Sequence, residues 1–289
     1  MQVALQTIVG GLTLGAIYAL VALGFSLVYR TMGLVNFAHG QIVMIGAFTA
    51  STFYMSTKLP FALAVVCAVV VTGLMGIVIE FVLRPLEGRD FDLMLIGTIG
   101  FGVMLEALAI IIWGATGRAV PSPINAAPLD IWGIKVRTYS LVILAVAAVA
   151  TIALLVFLRR TKLGAAMQAA AMDRDAATAV GIHVGRSNAI AFAIGAGLAA
   201  LAGGLAGPLL YVNASLGGSL GIKGFAAAIL GGFGNIQGAI LGGLAIGILD
   251  SWASGQFEGY SELVVFVVFA VFMMIRPTGV FGEKTVNRA

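Results

Sequence analysis

Uncharged apolar runs of membrane-crossing length follow one another along this chain, each closed by a short polar or charged interval. Residues 1–29 carry no charge, and about 6–28 predicts a first span that Arg30 ends. A polar, glycine-broken passage over 33–41 leads into a second apolar segment reaching about Tyr54. The third span, about 61–83, stops at Arg84 and Pro85, and the fourth covers about 93–113. Residues 114–137 hold Pro121, Pro123 and Pro128, which disfavour helix. About 139–158 is the fifth span and about 188–210 the sixth. Gly217, Gly218 and Ser219 mark a turn. Residues 223–252 are long enough to cross once, but Gly231-Gly232-Phe233-Gly234-Asn235 interrupts them, so two short helices forming a hairpin fit equally. The last span, about 262–275, is closed by Arg276 and Pro277.

A span needs roughly 20 apolar residues, whereas a membrane barrel would show alternation in strands of about 10 residues. The runs are unbroken, so the fold class is an all-α polytopic integral membrane protein. We expect about 8 spanning helices with broken or re-entrant pieces, in one transmembrane domain over 1–289. Composition agrees: 61% of residues are hydrophobic and 10% charged, against about 25% charged in soluble domains. The mean hydropathy is +1.09. A net charge of +4 makes no case for nucleic acid, since the basic residues sit at span ends, where topology accounts for them. The N-terminus lacks a basic leader and reads as the first span, not a removed signal. Cys67 lies in an apolar run as an inert core thiol.

The interval 159–187 stands apart. It carries Arg159, Arg160, Lys162, Arg174 and Arg186 against Asp173 and Asp175, between long uncharged runs. Asp173 is placed as an N-cap, 174–180 as two helical turns and Gly181 as the stop. A short capped helix on a loop between two spans is a surface for another molecule to grip. With this loop cytoplasmic, the Arg30 turn and the charged turn over 84–92 are cytoplasmic too. Eleven of the 16 lysines and arginines then fall inside and five outside, in the sense of the positive-inside rule. That count puts the tail with Arg276, Lys284 and Arg288 inside, which requires 223–252 to be a hairpin, the arrangement we expect.

The 39 glycines are the other signal. Gly11/Gly15, Gly203/Gly207, Gly238/Gly242 and Gly243/Gly247 have the spacing that lets membrane helices approach closely. Residues 36–46 and 224–238 are glycine-interrupted, one segment in each half, and paired breaks of this kind point to a substrate path. Asn36, His39 and Gln41 either cap freed backbone ends at such a break or line that path, and the two roles are compatible. Few ionisable groups lie within spans. Glu80 precedes Arg84 by one turn and pairs with it, Asp250 sits near a span end, and Glu106 reads as a helix contact ahead of a transport group. No Gly-Lys pair occurs, which excludes a P-loop, and His39, His183 and one cysteine give neither metal spacing nor a catalytic triad. We therefore expect no catalytic or metal residues and no cofactor on this chain. Energy must come from outside it, since a proton-driven carrier would show a richer chain of intramembrane acids and histidines.

Gly33-Leu34-Val35-Asn36-Phe37-Ala38-His39-Gly40-Gln41, with Met44, Gly46 and Ala47, resembles the signature of the LivH-type permeases of branched-chain amino-acid ABC transporters. Lys162-Leu163-Gly164, Asp173-Arg174-Asp175-Ala176-Ala177 to Gly181-Ile182, the stretch from Gly224 through Asn235 to Gly238, and Arg276 to Gly282 resemble the same family in the same order. The resemblance implies an ABC-importer permease bundle in a bacterial inner membrane. Its partners would be a LivM-like second permease subunit, two cytoplasmic ATPase subunits that bind the ATP, and a periplasmic binding protein delivering leucine, isoleucine or valine. Leu163, Gly164, Asp173, Arg174, Asp175, Ala176, Ala177 and Gly181 would then couple to the ATPase. For the substrate path we expect Asn36, Phe37, His39, Gly40 and Gln41, opposed by Gly231, Gly232, Gly234 and Asn235. Relatives carrying urea, short amides or other amino acids, an ion-coupled carrier, and a channel are the alternatives.

Overall fold

The computed structural model describes residues 2–33, 35–86, 90–124, 127–131 and 134–282. Leu34, residues 87–89 of the charged turn, and Lys284 and Arg288 of the tail lie outside the described residues. Helix α1 (Gln2–Met32) is the axis of the bundle, 31 residues that span about 46 Å. Around it stand α2 (His39–Met55), α3 (Phe61–Leu83), α4 (Phe91–Trp113), α5 (Thr138–Arg160), α8 (Val184–Ala206), α9 (Leu216–Gly231), α10 (Ile236–Gln256) and α11 (Ser261–Ile275), with α6 (Lys162–Met172) and α7 (Arg174–Ala179) at one end. Six of these helices are long and apolar enough to cross a membrane. The shorter α2, α9 and α11 complete the bundle. The proline-rich segment contributes a hairpin of β1 (Leu129–Ile131) and β2 (Ile134–Val136), antiparallel with Asp130 opposite Lys135.

Glycine pairs bring the helices together. Gly11 and Gly15 of α1 face the stretch holding Gly243 and Gly247 of α10, and a Cβ on Gly15 would lie 2.8 Å from the Leu244 Cα. Gly203 of α8 packs on the Val43 carbonyl of α2, and Gly242 of α10 on the Ala227 carbonyl of α9. With no side chain between them the backbones approach to van der Waals contact, which is the main source of helix association where lipid removes the hydrophobic drive. Glu80, 1% exposed, takes both Arg84 Nε and Nη2 at 3.1 and 2.9 Å, the predicted one-turn pair.

The interrupted segment near the C-terminus is a hairpin. Helix α9 runs alongside α1 in the same direction, Gly224 at Val21 and Gly234 at Tyr29. Helix α10 returns, Gly243 at Ala19, Gly247 at Gly15, and Ser251 donating to the Thr7 carbonyl at 2.9 Å. Beyond α11, the Val280 and Phe281 amides donate to the Leu230 and Gly231 carbonyls at 2.9 and 3.0 Å. Residues 280–282 therefore lie at the same end as Arg30, α6 and α7. The structure corrects one expectation here. Gly217, Gly218 and Ser219 do not form a turn but sit in the first turns of α9, because Gly217 and Gly221 are where α9 crosses α2 at Gly40.

Candidate functional site

The charged interval folds into two helices where the sequence predicted one. Thr161 caps α6, its hydroxyl accepting from the Gly164 amide at 3.0 Å. A Cβ on Gly164 would lie 2.6 Å from the Leu158 Cα, so this glycine lets α6 fold back against the end of α5. The signal for α6 was its buried stripe of Gly164, Met167 and Ala170, three residues apart. Asp173 caps α7, Oδ1 accepting from the Ala176 amide at 2.9 Å. At the other end the Ile182 amide donates to the Ala177 carbonyl at 2.9 Å, with Gly181 at φ +86° as the left-handed stop. Ala177 is buried, whereas Leu163, Asp173, Asp175, Ala176 and Gly181 are exposed. Arg174 Nη2 donates to the Thr31 carbonyl at 3.3 Å, tying α7 to the last turn of α1. Met172 and Val180, 83% and 77% exposed, present apolar surface at either side of α7.

The first helix break lies inside the bundle. Gly24 of α1 is packed against the His39 imidazole, so α2 begins about two turns short of the end of α1. Asn36 Oδ1 accepts from the Ala38 amide at 3.1 Å and the Asn36 carbonyl from the His39 amide at 3.1 Å, the turn that starts α2. His39 is 1% exposed, 4.5 Å from the Phe25 ring. Asn36 Nδ2, His39 Nε2 and Gln41 Oε1 are buried without a partner. The amide of Gln41 reaches across to α4, Nε2 donating to Glu106 Oε2 at 3.2 Å.

The second break, 232–235, stands at the end of the bundle that holds Arg30, α6 and α7. Gly232 and Gly234 have φ of +106° and +83°. Asn235 caps α10, Oδ1 accepting from the Gly238 amide at 3.0 Å, and its Nδ2 donates to the Phe281 carbonyl at 3.3 Å. Gly231 is packed on the Gly238 carbonyl. Gly234 and Asn235 open on a cavity of about 970 Å³ that Arg30, Arg159 and Arg174 also line. Among the described residues no hydrogen bond or ring contact links the two breaks directly. An aromatic string joins them: Phe225 stands 5.3 Å from Phe37 and 5.5 Å from Phe233, whose other neighbour is Tyr29 at 4.5 Å. Gly40 and Gln41 meet the first half of α9, at Gly217 and Gly221.

A buried charge cluster escaped the sequence. Lys223, placed there at the start of a crossing, is 8% exposed in the middle of α9. Its Nζ lies 3.0 and 3.2 Å from the two carboxylate oxygens of Asp250, which is 4% exposed. Tyr18 donates its hydroxyl to Asp250 Oδ2 at 2.6 Å. Glu262 stands 3.6 Å from Lys223 and accepts from Ser219 at 3.2 Å. The available signal was a lysine inside an apolar stretch, which requires an acid nearby. Among the described residues no three His, Cys, Asp or Glu side chains converge where a metal could bind.

Comparison with known proteins covers nearly the whole chain. Residues 7–275 match the family described as "Branched-chain amino acid transport system / permease component". The high-affinity branched-chain amino acid transport system permease protein BraD of Pseudomonas aeruginosa is 34% identical, over 98% of this chain and 97% of its own. The permease protein LivH of Escherichia coli K12 is 34% identical over the same shares. A probable LivH of Methanocaldococcus jannaschii is 28% identical, over 94% of this chain and 91% of its own.

Proposed function

The chain belongs to the family of permease components of branched-chain amino acid transport systems, a multi-pass membrane protein, and from that membership we propose that it carries leucine, isoleucine or valine across a bacterial inner membrane as one half of an ATP-driven importer. The observation that carries the proposal is the match along almost the whole length, with both helix breaks and the charged interval inside it. The chain supplies a path and not a reaction. ATP is bound and split by two ATPase subunits on the side of Arg30. A LivM-like subunit forms the other half of the path, and a periplasmic binding protein delivers the amino acid.

Helices α6 and α7 are suited to receive the motor's force. Exposed Leu163, Met172 and Val180 offer apolar anchors and Asp175 an acid, while Ala177 is fixed in the bundle. Because Arg174 holds the Thr31 carbonyl, movement of α7 pulls the end of α1, and α1 contacts α5, α8, α9 and α10. A rigid knuckle on a packed axis turns ATPase closure into rocking of the spans, which is alternating access. Inside, the partnerless polar atoms of Asn36, His39 and Gln41 lie at the one break set within the bundle, where a zwitterion could exchange its water for protein groups.

Reconstitution tests the proposal. The chain co-expressed with the products of neighbouring genes should co-purify with ATPases, and vesicles should take up labelled leucine only with ATP and the loaded binding protein. Uptake by this chain alone on an ion gradient would refute it, and uptake of urea in place of leucine would redirect it to a related importer.

A further inference from the structure

Resting on the transport role just proposed, we propose that Gln41 and Glu106 together form the receptor for the α-ammonium group of the transported amino acid. Glu106 is the one ionisable side chain over 93–113 of α4. A carboxylate in an apolar membrane helix is costly unless a cation or several donors meet it. No lysine or arginine among the described residues pairs with it. Its hydrogen bond from Gln41 Nε2, at 3.2 Å, uses one of about four lone-pair positions. Glu106 is half-buried.

The other end of the Gln41 amide completes the site. Its Oε1 is buried and receives no donor. That oxygen is aimed at Gly217 of α9, where any Cβ would collide with it. Glycine at 217 thus gives this oxygen the room that an alanine side chain would take. The bridged pair presents only acceptors, a carboxylate and an amide oxygen linked by one N–H, with one negative charge. An ammonium brings three donors and one positive charge, the complement of a carboxylate that no cation pairs and of an amide oxygen that no donor meets. The same break holds a group of opposite polarity for the zwitterion's carboxylate: Asn36, 3% exposed, has its Nδ2 without an acceptor. The Phe37 and Phe225 rings, 5.3 Å apart, stand beside it as apolar surface for a branched side chain.

Mere helix contact is the rival role, and one substitution separates the two. In Glu106→Gln an amide oxygen still accepts the Gln41 N–H, so the α2–α4 contact persists while the charge is gone. The test uses the complete transporter in proteoliposomes, with labelled leucine and the loaded binding protein, and reads ATP-driven uptake beside co-purification of the partner subunits. We expect Glu106→Gln to assemble fully and to lose about 10- to 100-fold in uptake rate at limiting leucine, the value of a charge-assisted hydrogen bond. The exchange Gln41→Glu with Glu106→Gln moves the carboxylate to the other end of the same bond and should restore most of that loss. Wild-type uptake by Glu106→Gln overturns the proposal, as does a loss of uptake that only tracks a loss of assembly. A wild-type complex that moves no leucine on ATP overturns the transport role itself and the ammonium assignment with it.

Discussion

Replacing Lys223 by Met should destabilise the protein more than replacing Asp250 by Asn, and combining the two should undo most of the damage. The Lys223 and Asp250 side chains are 10% and 5% exposed, so the pair is screened by almost no water. Removing one partner of a buried pair leaves the other charge uncompensated, at a cost of about 3–5 kcal/mol. In Lys223→Met, Asp250 keeps only the Tyr18 hydroxyl at 2.6 Å, which stabilises a carboxylate but does not neutralise it. In Asp250→Asn, the lysine still has Glu262 at 3.6 Å, so its loss is smaller. The double variant buries no unpaired ion between α9 and α10, and Tyr18 can donate to the asparagine oxygen. At about 2 °C per kcal/mol for a chain of this size, Lys223→Met should melt about 6–10 °C below wild type in lipid nanodiscs. Asp250→Asn should fall between them and the double variant should melt close to wild type. A double variant that melts as low as Lys223→Met would refute the reasoning, because the loss would then come from packing and not from a stranded charge.

Three further outcomes follow from other parts of the bundle. Gly15→Val should disrupt the α1–α10 seam, since even a Cβ there lies 2.8 Å from the Leu244 Cα, and should lower folded yield in the membrane; unchanged yield would refute close backbone packing at that seam. Ala177→Pro should abolish ATP-driven uptake while the protein still reaches the membrane, because proline removes the amide that donates to the Asp173 carbonyl at 3.0 Å; normal uptake would remove α7 from the coupling path. Gly232→Leu should break the α9–α10 turn through strain at φ +106° and a clash 2.6 Å from the Gly282 amide, read as greater proteolysis of the hairpin and lost uptake; intact hairpin and wild-type kinetics would count against both.

What the sequence determined by itself was set by local chemistry. Uncharged runs define helices without knowledge of their neighbours, because a backbone in lipid must bond to itself. Asp173 and Gly181 bound α7 by the side-chain oxygen and the left-handed angle that each residue type supplies locally. Glu80 and Arg84 are one helical turn apart, so their pair was legible too. Gly11 with Gly15 and Gly243 with Gly247 announced close contacts but not that the two seams face each other. Only the tertiary structure decided the rest. Gly217 to Ser219 read as a turn because glycine favours both turns and close helix crossings, and the approach of Gly40 from α2 selects the crossing. Lys223 and Asp250 are 27 residues apart and Gln41 and Glu106 are 65 apart. At such separations sequence shows that a charge in a span needs a partner, and the packing of α9 on α10 and of α2 on α4 determines which one it gets.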